Sequence, residues 1–257
     1  MSPFLQETWS QLRRWLLRLK REPFNLTFAL LQPLLFFVFF GGAFENMVAK
    51  PEAGGASYRA FILGGVLTLT VFGHSMAGGI PILFDKENGF LTRCLVAPIT
   101  RSSIFVARFL AVNLISAIQT LLFLALAFVF GVRVGTGIPG VALLIAIGWL
   151  LGLGVTVVSL SMAFKLRGHA DFFAILGTVT LPAAFMSTAF VSLDKMPGWM
   201  RVVASLNPLT YAADGMRALV VNRTLDGTFL LRQGLILVVF DALLLWMGVR
   251  ALRSSVA

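Results

Sequence analysis

From Leu26 to Phe44 the chain carries no charged residue, and the same is true from Ala60 to Leu83. An uninterrupted apolar run of about 20 residues, wound as a helix, matches the hydrocarbon thickness of a bilayer. Four more such runs follow, Ile104 to Gly131, Gly140 to Phe164, Phe172 to Val191 and Leu235 to Leu252, broken only by isolated ionisable groups. Lipid offers backbone N–H and C=O groups no partner, so each run must satisfy its own backbone as a helix. These runs predict an all-α integral membrane protein with six transmembrane helices, residues 1–257 forming one transmembrane domain. Composition agrees: 12% of residues are charged, where a soluble domain has roughly a quarter, and mean hydropathy is +0.89.

The segments between the runs set topology. Residues 4–22 place Leu5, Trp9, Leu12, Leu16 and Leu19 against Arg14, Arg18 and Arg21 at helical spacing, which predicts an amphipathic helix lying in the membrane plane. Trp9 and Trp15 are both expected at the interface. Six crossings put both termini on one side. Cytoplasmic termini leave thirteen Lys and Arg inside and eight outside, five of those in one long loop, so the positive-inside rule selects that orientation. The long loop, residues 192–233, holds two short amphipathic stretches separated by Asn207-Pro208. One presents Trp199, Val202, Val203 and Leu206; the other aligns Ala212, Ala213, Met216 and Val220. Neither is long enough to span, and together they predict a re-entrant helical hairpin before the last crossing. A plain external loop is the simpler alternative.

The densest charged segment outside the N-terminus is residues 84–103, between the second and third runs. It contains Asp85, Lys86, Glu87, Gly89, Arg93, Pro98 and Arg101. A solvated loop obeying the positive-inside rule explains such a segment, and so does a contact surface for another protein. No G-x-x-x-x-G-K-[ST] pattern occurs, so ATP hydrolysis by a P-loop is not expected in this chain. The net charge of +10 in so apolar a chain points to topology and anionic headgroups and not to nucleic acid. With a single cysteine, Cys94, no internal disulfide can form. No small-residue cleavage site follows the first apolar run, so a cleavable leader is not expected.

Several smaller features carry chemistry. Gly73-His74-Ser75-Met76-Ala77 approaches the nucleophile elbow of serine hydrolases, but it lies inside an apolar run with no strand pattern around it. His74 and His169 are the only histidines, without the acid or cysteine spacing of a metal site, so no metal is expected. Asp241 is an acid within an apolar run, a costly placement that calls for a partner. Arg217 or Arg223 would serve, as would protonation or access to the outer interface. With His74 it could form a proton path in a self-sufficient secondary transporter or channel. Gly148 and Gly152 permit a close helix approach, within the chain or between chains. Phe36, Phe40, Met76, Phe185, Met186 and Phe190 suit an apolar ligand, though core packing or lipid contact suits them equally.

Taken in order, these features resemble the ABC-2 exporter membrane subunits (type V exporter-like), and among them the daunorubicin-resistance-like permeases. The resemblance spans nearly the whole chain. Its most specific elements are Asp85-Lys86-Glu87-Asn88-Gly89 leading to Arg93, Pro98-Ile99-Thr100-Arg101 and Arg108, then Asn207-Pro208-Leu209-Thr210-Tyr211 with Asp214, Arg217, Ala218 and Leu219. Phe90 and Thr92 depart from that family's usual Thr and Glu after the glycine. The resemblance implies a transporter subunit in the bacterial plasma membrane that is not itself an enzyme and holds no cofactor. It implies a homodimer, or a heterodimer with a paralogue, and two copies of a P-loop ATPase carrying ATP and Mg. Residues 84–103 would be the coupling segment, with the N-terminal helix alongside. The substrate would be a drug, a lipid-like molecule or a glycolipid.

Overall fold

The computed structural model describes residues 3–21, 23–45, 57–96, 100–166 and 168–254, and among them there are eleven α-helices and no strand. Pro98 and Arg167 lie outside the described residues, as does the polar link at 46–56. Helix α1 (Pro3–Arg21) lies against α6 (Arg101–Val129) and buries Thr8, Leu12 and Trp15, leaving Arg13, Lys20 and Arg21 exposed. Trp9 is exposed as an interfacial ring should be, but Trp15 is not: only 3% of its surface is accessible. An arginine from α6 stacks on the Trp15 ring and turns an expected interface residue into a packing residue.

Among the described residues, five helices are long and apolar enough to cross a membrane: Thr27–Phe44 in α2 (Pro23–Glu45), Tyr58–Glu87, Ser102–Val129 in α6, Gly137–Lys165 (α7) and Gly227–Gly248 in the last helix. The second of these comprises α3 (Tyr58–Met76) and α4 (Ile80–Glu87), joined by one 3₁₀ turn at Ala77–Gly79. Pro81 forces the interruption, because it has no N–H for a carbonyl one turn back and its ring crowds that turn. The carbonyls released are taken up elsewhere: Ser159 Oγ donates to Met76 O at 2.6 Å, and Arg108 Nε to Gly78 O at 2.9 Å. Gly79 fits here because a Cβ would come within 2.6 Å of Ser159 O.

The fifth apolar run forms a shorter helix than expected. Helix α8 (His169–Phe185) stops at Phe185, not Val191. At 17 residues it is roughly 25 Å long. Its end is capped from outside: Asn207 Nδ2 donates to Ala183 O at 2.8 Å and to Met186 O at 2.7 Å. The same amide's Oδ1 accepts from Leu209 N at 3.0 Å, so Asn207 also starts α10 (Pro208–Val221), with Pro208 at the first helical position. Helix α11 (Gly227–Ser254) begins about two turns before the expected Leu235. Asp226 makes this possible, its Oδ1 accepting from Phe229 N at 3.0 Å.

Helix α10 wedges between α3, α7 and α11. Ala212, Ala213, Met216 and Val220, the residues aligned by spacing, are all buried. The short helix before it, α9 (Gly198–Leu206), turns Trp199, Val202, Val203 and Leu206 outward. Both ends of α10 lie at the end of the bundle away from α4. One meets the α8 terminus through Asn207; at the other, Gly135 N donates to Val220 O at 2.9 Å and Thr136 Oγ1 to Leu219 O at 2.8 Å, from the turn joining α6 and α7.

Candidate functional site

Three consecutive charges on α4 reach three different elements. Successive helical residues point about 100° apart, so Asp85, Lys86 and Glu87 fan out from one turn. Asp85 pairs with Arg14 of α1. Lys86 Nζ donates to Leu166 O at 2.9 Å and more weakly to Phe164 O at 3.4 Å, placing a cation on the bare carbonyls at the C-terminus of α7. Glu87 Oε1 accepts from His169 N at 3.2 Å and lies 2.7 Å from His169 Nδ1, an acid at the N-terminus of α8. Lys86 and Glu87 thus bracket the α7–α8 link from one side. Phe84 stacks on the His169 ring at 6.0 Å.

Gly89 ends α4. Its φ of +68° is the left-handed conformation a helix stop requires, and glycine adopts it without steric cost. Its carbonyl accepts from Arg93 N at 3.2 Å and starts α5 (Phe90–Val96). On the outside of this corner, Asn88, Phe90, Arg93 and Val96 are exposed. Arg14 sits 4.3 Å from the Phe90 ring centroid as well as on Asp85, so α1 is fastened to both short helices. Arg21 is exposed, Arg18 is exposed at the edge of a cavity under α1, and Arg101 opens α6. A second tie joins α1 to α6: Glu7 Oε2 accepts from Thr100 N at 3.0 Å and from Thr100 Oγ1 at 2.8 Å. Those two bonds hold the Glu7 carboxyl below its ordinary value.

Behind this corner three cavities follow one another along the bundle. The first, about 380 Å³, lies under α1 among Trp15, Arg18, Arg108, His74 and Gln119. The second, about 360 Å³, is central and shares Ala29, His74, Ala77 and Gln119 with the first. Phe36, Phe185 and Phe190 wall it. The third, about 260 Å³, lies at the far end beside Phe40, Phe44 and Tyr58, and Phe190 borders both. Between the second and third, Phe190 packs at 5.9 Å from Phe36, 5.4 Å from Phe40 and 5.8 Å from Phe185. Of the six residues expected to suit an apolar ligand, four therefore border these cavities. Met76 is packed in the core, and the Met186 carbonyl belongs to the α8 cap.

Asp241 does not reach Arg217 or Arg223. Its Oδ1 accepts from Gly154 N of α7 at 3.0 Å, and its Oδ2 is buried without a partner. Arg217 is occupied by Asp214 at 2.8 Å, by the carbonyls of Phe61 and Thr188, and by the Phe61 ring at 3.8 Å. Asp241 borders none of the cavities that hold His74, so the two do not form a path there. Ser75 is fully buried within α3 with its Oγ unpartnered, which removes the access and the base a nucleophile needs. Gly148 faces Val71 and Met216, and Gly152 faces Asn113 and Ser75, so this glycine pair serves packing inside the chain.

Two features escaped sequence reasoning. Arg108, which follows the charged segment in the motif carrying the resemblance, is buried at a cavity wall. A lone arginine several residues inside an apolar run was the available signal. Asn207-Pro208 was read as a helix break, but its amide also terminates α8, a contact of long sequence separation that no local pattern announces.

The family described as ABC-2 type transporter matches residues 6–221, from α1 to the end of α10. The Porphyra purpurea protein ycf38, described as a transport permease, is 36% identical over 219 residues, covering 85% of this chain and 75% of its own. The daunorubicin resistance ABC transporter permease protein DrrB1 of Streptomyces coeruleorubidus is 29% identical over 223 residues, covering 82% and 74%. A Mycobacterium tuberculosis protein described as the doxorubicin resistance ABC transporter permease DrrC is 27% identical over 219 residues, covering 83% and 76%. With the match running from the amphipathic helix through the wedge helix, the chain belongs to the ABC-2 type transporter family.

Proposed function

We propose that this chain is the membrane-spanning permease subunit of an ATP-binding cassette exporter, which moves an amphipathic or hydrophobic substrate out of the cytoplasm and is driven by a separate P-loop ATPase. The observation that carries this reading is the corner at α4. Asp85, Lys86 and Glu87 connect one short exposed element to α1, to the end of α7 and to the start of α8. A push on α5 would reach three parts of the bundle at once, as a rigid-body switch requires. In this division of labour the exposed face of Asn88, Phe90, Arg93 and Val96 meets the ATPase, while the three charges behind it pass the motion on. Pro98 and Arg101 continue that segment.

The relatives named for daunorubicin and doxorubicin resistance support an amphipathic substrate, and the three consecutive cavities give it a route. Helix α8, extended by residues 186–191, serves as the sixth crossing, and α9 with α10 as the re-entrant pair. The working unit is a dimer with two ATPase copies, set in a bacterial plasma membrane with both termini cytoplasmic. Co-purification with a P-loop ATPase subunit, followed by reconstitution, tests the reading. Substrate-stimulated ATP hydrolysis is expected to fall at least several-fold in Arg93→Glu and in Glu87→Ala. Undiminished stimulation in both variants, or transport driven by a proton gradient without ATP, would contradict it.

A further inference from the structure

A hydroxyl on a membrane-spanning helix commonly donates to the carbonyl one turn back. Thr68, Thr70, Thr120, Ser161 and Thr178 all do so, at 2.7 to 3.0 Å. Thr180 of α8 does not. Its Oγ1 is buried and has no hydrogen-bond partner among the described residues, the Leu176 carbonyl included. Thr180 lines the central cavity, and two other residues of that wall share its condition. Gln119 of α6 is 2% exposed with Oε1 unpartnered, and His74 of α3 has Nε2 buried and unpartnered. Of the eight such atoms among the described residues, three therefore belong to this one cavity, from three different helices. A polar group left unpaired between helices in a membrane has no water to fall back on, so each of the three weighs against the fold. Phe36, Leu181, Phe185 and Phe190 supply an apolar wall to the same cavity.

We propose that the central cavity is a binding site for an apolar ligand that carries a hydroxyl or an amide N–H. That group donates to Gln119 Oε1. Thr180 Oγ1 and His74 Nε2 serve its remaining donors or acceptors, the hydroxyl in either role and the imidazole according to its tautomer. The apolar body packs on Phe36 and Phe185. The inference rests on reading this cavity as part of the substrate route of a permease, and it adds the functional group that the route selects. Hydrogen bonding decides the class. Buried polar groups reject a ligand that leaves them unpaired far more strongly than an apolar wall rejects a missing methylene. The cavity, about 360 Å³, is within the ~300–1,000 Å³ range of small-molecule sites.

The test is binding of N-methyldodecanamide to the purified full-length chain in a maltoside detergent, against N,N-dimethyldodecanamide, which keeps the carbonyl and the tail but lacks the N–H. Partition into protein-free micelles is subtracted for each. The amide with the N–H is expected to bind about tenfold more tightly or better, the scale of one buried polar group left unpaired. Gln119→Leu and Thr180→Val, near-isosteric changes that each remove a polar group, should weaken it several-fold while keeping or raising the unfolding temperature, because an unpaired buried atom is lost. A merely structural role would lower that temperature instead. In nanodiscs, competition by phosphatidylethanolamine, whose headgroup carries N–H, over phosphatidylcholine would identify a membrane lipid as the occupant, and its absence a free solute; both support the site. Equal binding of the two amides, an undiminished preference in both variants, or no binding of either amide, which leaves water as the occupant, would overturn it. No ATPase is present, so the outcome is independent of coupling at α4. Selective binding without stimulation of the permease–ATPase complex would contradict the substrate route and leave the site standing.

Discussion

The two ends of the bundle are fastened by different chemistry. At the α4 corner the ties to α1 and α8 are contacts between partly exposed side chains, Arg14 with Asp85 at 31% and 18% exposure and His169 with Glu87 at 52% and 33%, beside the hold of Lys86 on the α7 carbonyls. At the far end, beside the Arg217–Asp214 pair, most ties run to backbone. Arg217 holds the carbonyls of Phe61 and Thr188, Asn207 holds those of Ala183 and Met186, and Thr136 holds that of Leu219. Backbone contacts fix both position and orientation, whereas exposed ion pairs exchange readily with water and cost little to rearrange. The far end is thus built as a fixed support and the α4 corner as an adjustable one. An element that must follow the movements of a partner belongs at the second.

The strongest challenge to that contrast lies at the far end. A Cβ on Gly65 would come within 1.8 Å of Ala189 O, a backbone atom with nowhere to go. Gly65→Val should therefore abolish recovery of folded monodisperse protein on size-exclusion chromatography. Arg217→Met leaves Asp214 without its partner and two carbonyls without a donor. A loss of about 3–5 kcal/mol is expected, the scale of breaking one side of a buried pair, seen as a large drop in thermal unfolding temperature.

At the α4 corner the stability effects should be small. A double-mutant cycle on Arg14→Ala and Asp85→Ala is expected to give a coupling of only about 0.2–1 kcal/mol, decreasing with added salt. ATPase stimulation should nonetheless fall in both single variants, and that split between stability and function is what the contrast requires. A coupling above about 3 kcal/mol would make the corner as rigid as the far end and remove the distinction.

The smallest effect concerns Glu7, whose carboxyl is held below its ordinary value of 4.5 by the amide and hydroxyl of Thr100. A lowered folded value means that the tie is complete above the unfolded value and is lost as pH falls through the folded one. Hydrogen exchange at the Thr100 amide should be slower in the wild type than in Glu7→Gln at pH 7. That difference should vanish in acid, where both side chains are neutral.

Much of the scaffold was legible because membrane burial writes itself into continuous runs. The buried stripe of α1 at Leu12 and the α10 face at Ala212, Ala213, Met216 and Val220 follow directly from helical spacing. Element ends were less legible, since they are set by groups distant in sequence. Asn207 ends α8 and Asp226 starts α11 early. At the site, spacing located the α4 charges but not their targets. Lys86 meets carbonyls almost 80 positions away, a pairing created by the return of α7 to that end of the bundle. The inward packing of Arg108 on Trp15 is not legible locally, because its charge stands only a few residues past the charged segment at 84–103.

The central claim, that force enters at the α4–α5 corner, can be tested by contact. Cys94, the single cysteine, lies on α5, and burial pushes its thiol above the ordinary value, so a maleimide is attached at mildly alkaline pH. Benzophenone-maleimide at Cys94, irradiated in the purified permease–ATPase complex, is predicted to cross-link to the ATPase. The same reagent on Cys94→Ser/Thr224→Cys, at an exposed position of the far end, is predicted to give none. A cross-link from position 224, or none from Cys94 in a complex that stays intact, would contradict the account.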